Sequence, residues 1–240
     1  GGGPGTTLVN GPAHGITGDG TLRDLTFTNQ GLVGIGGGTF TFHDVVTDNG
    51  AGLITVAADG ILAAAGTSSI AGGTIEGQPG AAIRPGSAAL ALTDTRLAGS
   101  FELGAGSTST LDVGGTIVND ATLTFTRDAL NNNTGIVDQR LQLAAGTTTT
   151  LAGSGTLVMD GFDTGVQGAD ATAALVNAAG HTIAGEGTLR DFALTNAGTL
   201  RADQAAALRA ELTAFTNQGL VAVTGAGRLV SDTDIVQTAG

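Results

Sequence analysis

The chain has 240 residues, 41% of them apolar, and its 21 carboxylates against nine cationic side chains, all arginine, leave a formal charge of −12. The apolar fraction excludes a disordered chain and suffices for one large core, and the acidity excludes nucleic acid and anionic membranes as partners. With 42 glycines, eight phenylalanines and no tryptophan, tyrosine or cysteine, the core is narrow and aliphatic, the glycine belongs to turns, and neither a disulfide framework nor a thiolate metal site can form.

The first residues, GGGPGTT, carry no basic segment ahead of an apolar one, so a secretion signal is expected outside this stretch. From Leu8 to Val33 the chain reads LVNGPAHGITGDGTLRDLTFTNQGLV. Its apolar residues fall in alternating pairs, such as Leu25 with Phe27, divided by Gly, Asn and Asp, which predicts strands of three to five residues between sharp turns. Phe40 with Phe42 continues the pattern. Between about Ala57 and Thr150 the pattern persists with less fidelity, in Leu90 with Leu92, Leu111 with Val113, VNDATLTF at Val118 to Phe125 and NTGIV at Asn133 to Val137. No run of apolar residues approaches the roughly 18 needed for a spanning helix, so direct membrane insertion is not expected.

Toward the end the opening returns. Leu175 to Leu200, LVNAAGHTIAGEGTLRDFALTNAGTL, aligns with Leu8 to Val33 without a gap and is identical at about half of its positions, including His14 with His181, Arg23-Asp24 with Arg190-Asp191, and Asn29 with Asn196. FTNQGLV occurs at Phe27 to Val33 and again at Phe215 to Val221. Ala202 to Leu212 is rich in helix formers, yet it lies between Asn196 and Asn217, where the spacing leaves no room for a three-turn helix, and it is assigned to a strand of the repeat.

The anchoring asparagines, Asn10, Asn29 and Asn49, then Asn177, Asn196 and Asn217, follow each other at steps of 19 to 21 residues. That period is too short for helical solenoids and lacks the leucine-rich-repeat frame. It fits one coil of two or three short strands. The fold expected is all-β: a parallel β-helix, or β-solenoid, forming a single domain over residues 1–240. About 12 coils of 19–21 residues, stacked at about 4.8 Å, make a rod roughly 55 Å long. The six asparagines are expected to form a structural ladder of stacked amides along one turn.

Units of the form N-x-G-T-L and I-x-G-x-G-T-L, seen at Asn196 to Leu200, Asn217 to Val221 and Ile183 to Leu189, resemble the repeats of filamentous-haemagglutinin-like adhesins and autotransporter passenger domains. These are secreted bacterial right-handed parallel β-helices. The resemblance covers the first 60 residues or so and the last 70 well, and the middle more weakly. It implies right-handed coiling, export to the bacterial surface or medium, and a role in adhesion, biofilm or extracellular fibres.

Candidate chemistry is sparse. His14 and His181 occupy equivalent turns without ligand partners at metal spacing, and His43 stands alone in TFHDVV, so structural hydrogen bonding is the expected role of all three. Arg23-Asp24 and Arg190-Asp191 evoke the acid-base pairs of β-helix lyases and hydrolases, but a repeated pair reads as a solvated face. Asp160, Asp163 and Asp170 are weak Ca²⁺ candidates without the spacing of an EF-hand or a calcium β-roll. The threonines at Thr147 to Thr150 and around Ser107 to Thr110 could present a flat array to ice or glycan, but β-propensity on an outer face explains them without any ligand and is the favoured reading. No catalytic residue, cofactor site or firm metal site is expected, and the chain is not expected to be an enzyme.

The functional expectation is an extracellular structural or adhesive rod, a segment of a longer or self-stacking solenoid, secreted or displayed on a bacterial surface. Uncapped coils template further coils, so head-to-tail or lateral self-association is expected, with a host or neighbouring-cell glycan or protein as a further partner. The alternatives are a carbohydrate-active β-helix enzyme and a glycan- or ice-binding module.

Overall fold

A computed structural model describes residues 5–86, 89–104, 109–126 and 139–238. The motif Asn133 to Val137 and residues Ser107 and Thr108 lie outside them. Among the described residues there are 28 strands and no helix, and every strand pairing is parallel. The strands follow three tracks around a common axis, so the protein is a β-solenoid of stacked coils with three faces, A, B and C, visited in the order B, C, A.

Face B begins with Thr7–Asn10 and rises through Ser68–Ala71, Leu90–Thr93 and Gln139–Leu143 to Arg228–Ser231. Face C begins with Gly15–Thr17 and ends with Ile235–Gln237. Face A carries Ile61–Ala65, Ala82–Pro85, Thr156–Asp160 and Thr182–Gly185 and ends with Leu220–Val223. Four longer strands bend around a corner and serve two faces: Gly20–Asn29, Thr39–Asp48, Arg96–Leu103 and Thr116–Thr126. Ala207–Glu211, within the helix-prone segment, is a strand of face B.

The alternation within each strand places one side chain in three columns of core. Phe27, Ile70, Leu92, Val113 and Leu143 share a column on face B; Val33, Ile54, Ile75 and Leu97 share one on face C; Phe101, Leu123, Leu157, Ile183 and Leu200 share one on face A. All are essentially inaccessible to solvent. Aliphatic side chains of similar size recur at most steps, with the buried Thr47 between Phe27 and Ile70 as a polar exception, which lets the columns interdigitate. Near the first coils Phe27, Phe40 and Phe42 pack together in the core, with ring centroids 6.3 Å apart for Phe27 and Phe42 and 5.5 Å apart for Phe40 and Phe42.

The coils are not of one length. The asparagine steps of 19 to 21 residues hold at both ends, but Gly15 lies below Leu32 and Thr182 below Thr199 at a step of 17, Ile70 below Leu92 at 22 and Val113 below Leu143 at 30. The chain therefore makes about ten turns, two fewer than a uniform period gives. The extra residues shift the phase of the repeat. Thr7–Asn10 lies on face B, whereas its sequence copy Ala174–Asn177 lies on face C, so the two matching segments are rotated from each other by one face.

Corners need left-handed backbone, and the residues that take it are glycine and aspartate, whose short side chain tolerates positive φ. Asp24, Asp44, Asp59, Asp94 and Asp191 have φ between 51° and 63°. The recurrence of Arg-Asp in the sequence is thus, in part, the recurrence of a corner. At two of these corners the carboxylate also accepts a backbone N–H from the next coil: Thr67 on Asp44 Oδ1 at 2.7 Å, and Thr116 on Asp94 Oδ1 at 2.8 Å.

Candidate functional site

The six asparagines form two ladders at two different corners. At the B-to-C corner, Asn10 Nδ2 donates to Asn29 Oδ1 at 2.8 Å, and Asn29 Nδ2 to Asn49 Oδ1 at 2.7 Å. This ladder stops where the next coil turns on Gly72 and Gly73, and Asn49 Nδ2 faces the Gly72 carbonyl at 3.4 Å. At the C-to-A corner, Asn177 donates to Asn196 and Asn196 to Asn217, both at 2.7 Å, and Asn217 donates to Gln237 Oε1 at 2.7 Å. Each asparagine is buried. Asn10, Asn177 and Asn196 also use the same Nδ2 to reach a backbone carbonyl of the following coil, at Leu32, Thr199 and Leu220. The amides thus bind each other along the strand ladder and also hold the first carbonyl of the strand that follows the corner.

His181 extends the second ladder downward. The coil below Asn177 has Leu151 where an asparagine would continue the row. The fully buried His181 ring crosses that gap, with Nδ1 2.6 Å from Asn177 Oδ1 and Nε2 3.0 Å from Asn119 Nδ2. Asn119 Oδ1 already accepts the Ala121 N–H, so its Nδ2 donates to Nε2, and the ring proton sits on Nδ1. Every amide therefore donates toward the C-terminal end, in one direction from Asn119 through His181 to Gln237. Burial pushes the His181 pKa down to about 4, and a void of only about 10 Å³ remains beside the ring. His14, at the equivalent place in the first coil, is exposed.

The other sequence candidates are dispersed. Asp163 is buried, whereas Asp160 and Asp170 are exposed, and the three do not converge as a ligand set. Asp170 is held below the usual carboxylate range by the hydroxyl and N–H of Thr172. Asp24, His43 and Asp44 are the one such group among the described residues whose ligand atoms come within 4.8 Å of each other. Their separation in sequence hid this: Arg23 stacks on His43, which brings Asp24 over Asp44. Asp44 Oδ2 lies 3.0 Å from His43 Nδ1, and its other oxygen is already bound to Thr67. Arg190 and Asp191 are 3.6 Å apart on the surface and both engage Gln167, while no ion pair joins Arg23 to Asp24 among the described residues.

On face B, Asp112 borders a shallow groove of about 230 Å³ with Ala91 and Gln142. Burial raises its pKa, partly offset by the charge of Arg140. Thr149 points inward, its hydroxyl on the Val113 carbonyl at 3.3 Å, so Thr147 to Thr150 is not a flat outer array. A threonine column does exist elsewhere: Ser100, Thr122, Thr156, Thr182 and Thr199 stack on successive coils of face A.

Comparison with protein-family models, with curated proteins and with solved structures finds no match to this chain.

Proposed function

We propose that this protein is an extracellular structural and adhesive rod of the kind its repeats resemble, a non-enzymatic solenoid that associates with itself by stacking coil on coil. The observation that carries this reading is the architecture: among the described residues 28 strands, all paired in parallel, stack in three tracks and present long, regular lateral faces, with Val46 58% exposed on one of them. Repeated strands of this kind offer the same surface coil after coil, which suits association with other copies and attachment to a surface. Adhesion at a bacterial surface rests on the sequence resemblance and on the long, regular lateral faces.

A second reading, a glycan- or ice-binding module, is favoured by the threonine column on face A, which sets hydroxyl and methyl groups at the coil spacing.

Sedimentation velocity over a wide concentration range tests the main reading. It predicts a mass that grows with concentration beyond a dimer; a monomer at every concentration overturns it.

A further inference from the structure

We infer that the corner at His181 is an acid-opened joint: one proton taken up by this ring parts the coil of Thr148–Ala152 and Thr156–Asp160 from its neighbours, while coils farther along the rod stay closed. The joint is built on the backbone. Between Asn119 and His181 the intervening coil turns on Gly153-Ser154-Gly155, and a Cβ at Gly155 would collide with the carbonyl oxygens of Ala121 and Asn119. The turn therefore lies flat on the coil below. The ring of His181 passes on its inner side to Asn119, so one buried side chain ties three coils together.

This tie cannot adapt to a second ring proton. The Nδ1–H is given to Asn177 Oδ1, and Nε2 receives the Asn119 amide. Turning that amide over would offer Nε2 an oxygen, but it would take Asn119 Oδ1 from the Ala121 N–H, which it accepts at 3.1 Å, and set two donors against each other there. The rest of the wall is aliphatic, with Leu97, Val113, Ile117, Leu151 and Leu157 around the ring. The charged groups of the surrounding strands face away from it. Asp120 accepts the Ser154 N–H at 2.9 Å and binds Arg96 at 2.9 Å, which together hold its carboxyl below the ordinary range and keep it ionised where a histidine titrates. Asp112, Arg140, Asp160 and Arg201 alternate with core residues along their strands and point outward.

The closed joint, by burial, holds the ring's pKa down to about 4, whereas a ring reached by water titrates near 6.5. Below pH 6.5 the proton therefore binds the open joint in preference to the closed one. The open population should rise about tenfold per pH unit until the closed ring also takes up a proton. Local opening of this kind is read directly by amide hydrogen exchange.

Hydrogen exchange on the intact chain, corrected for the intrinsic effect of pH on exchange, tests the joint. Between pH 7 and pH 4.5 the protection of Thr148–Ala152, Thr156–Asp160 and Thr182–Gly185 is expected to fall about 50- to 100-fold, while that of Leu53–Val56 and Thr74–Gly77 stays level. In His181→Gln the local fall is expected to disappear. A fall of equal size in Leu53–Val56 and Thr74–Gly77, no fall around His181, or a local fall that persists in the variant overturns the joint. The contrast between the two sets of strands in the unaltered chain decides the matter even where the variant does not fold.

Discussion

His181 accepts a hydrogen bond from Asn119, 62 residues earlier, by reaching across an intervening coil at 3.0 Å. A single imidazole thereby replaces the missing rung of an amide ladder. It also makes the ladder sensitive to protons, because Asn119 offers Nε2 a donor and leaves no acceptor for a second ring proton.

The pH dependence has a definite sign. With a folded pKa of about 4 against about 6.5 in the unfolded chain, the unfolded state binds the proton first. The contribution of neutral His181 is fully present above pH 6.5 and is lost as pH falls from about 6.5 to about 4. The loss amounts to about 3 kcal/mol by proton linkage. Urea unfolding at pH 7, 5.5 and 4.5 measures it, and in His181→Gln the component assigned to this ring should disappear.

Interrupting the ladder at Asn196 separates packing from hydrogen bonding. Asn196→Asp keeps the shape but removes the donor to Asn217 and to the Leu220 carbonyl while placing a carboxylate where no solvent reaches. It should cost more than Asn196→Ala, by roughly 1–3 kcal/mol at neutral pH, and the difference should narrow in acid as the carboxylate takes up a proton. Thermal unfolding of the two variants across pH checks both statements.

Gly73 lies in the turn that ends the first ladder, with φ of 63°, and a Cβ there would collide with the Asn49 carbonyl oxygen. Gly73→Ala combines left-handed strain of about 1–2 kcal/mol with that overlap, so a loss of more than about 2 kcal/mol is expected in chemical denaturation. At Gly36 no atom lies near the Cβ position and φ is ordinary, so Gly36→Ala should be close to neutral.

The first-coil aromatic cluster should dominate local stability. Phe42 is fully buried between Phe27 and Phe40, and Phe42→Ala is expected to cost about 3–5 kcal/mol. Hydrogen exchange should show the loss concentrated in Gly20–Asn29 and Thr39–Asp48, since coils contact only their neighbours.

Much of this architecture was legible because a solenoid writes its period into the sequence. Leu25 with Phe27, the recurring asparagines and the matched copies at Leu8 and Leu175 point to stacked coils before any coordinate is known. The phase was not legible. Coils of 22 and 30 residues interrupt the period in the middle, and nothing local to Asn10 or Asn177 says that their copies face different sides. Long-range pairings escaped for the same reason: His181 meets Asn119, and Asp24 meets His43 and Asp44, through register that only the sum of all intervening coil lengths determines. The left-handed aspartates left a visible trace, the repeated Arg-Asp, whose backbone role becomes clear only from φ.

Electron microscopy of the purified chain after dilution from denaturant tests self-stacking most directly. The account predicts unbranched filaments one solenoid wide, with an axial repeat of about 50 Å for the about ten coils of one molecule at the strand spacing. A field of monodisperse short rods of that length, at concentrations well above those used in sedimentation, would contradict it.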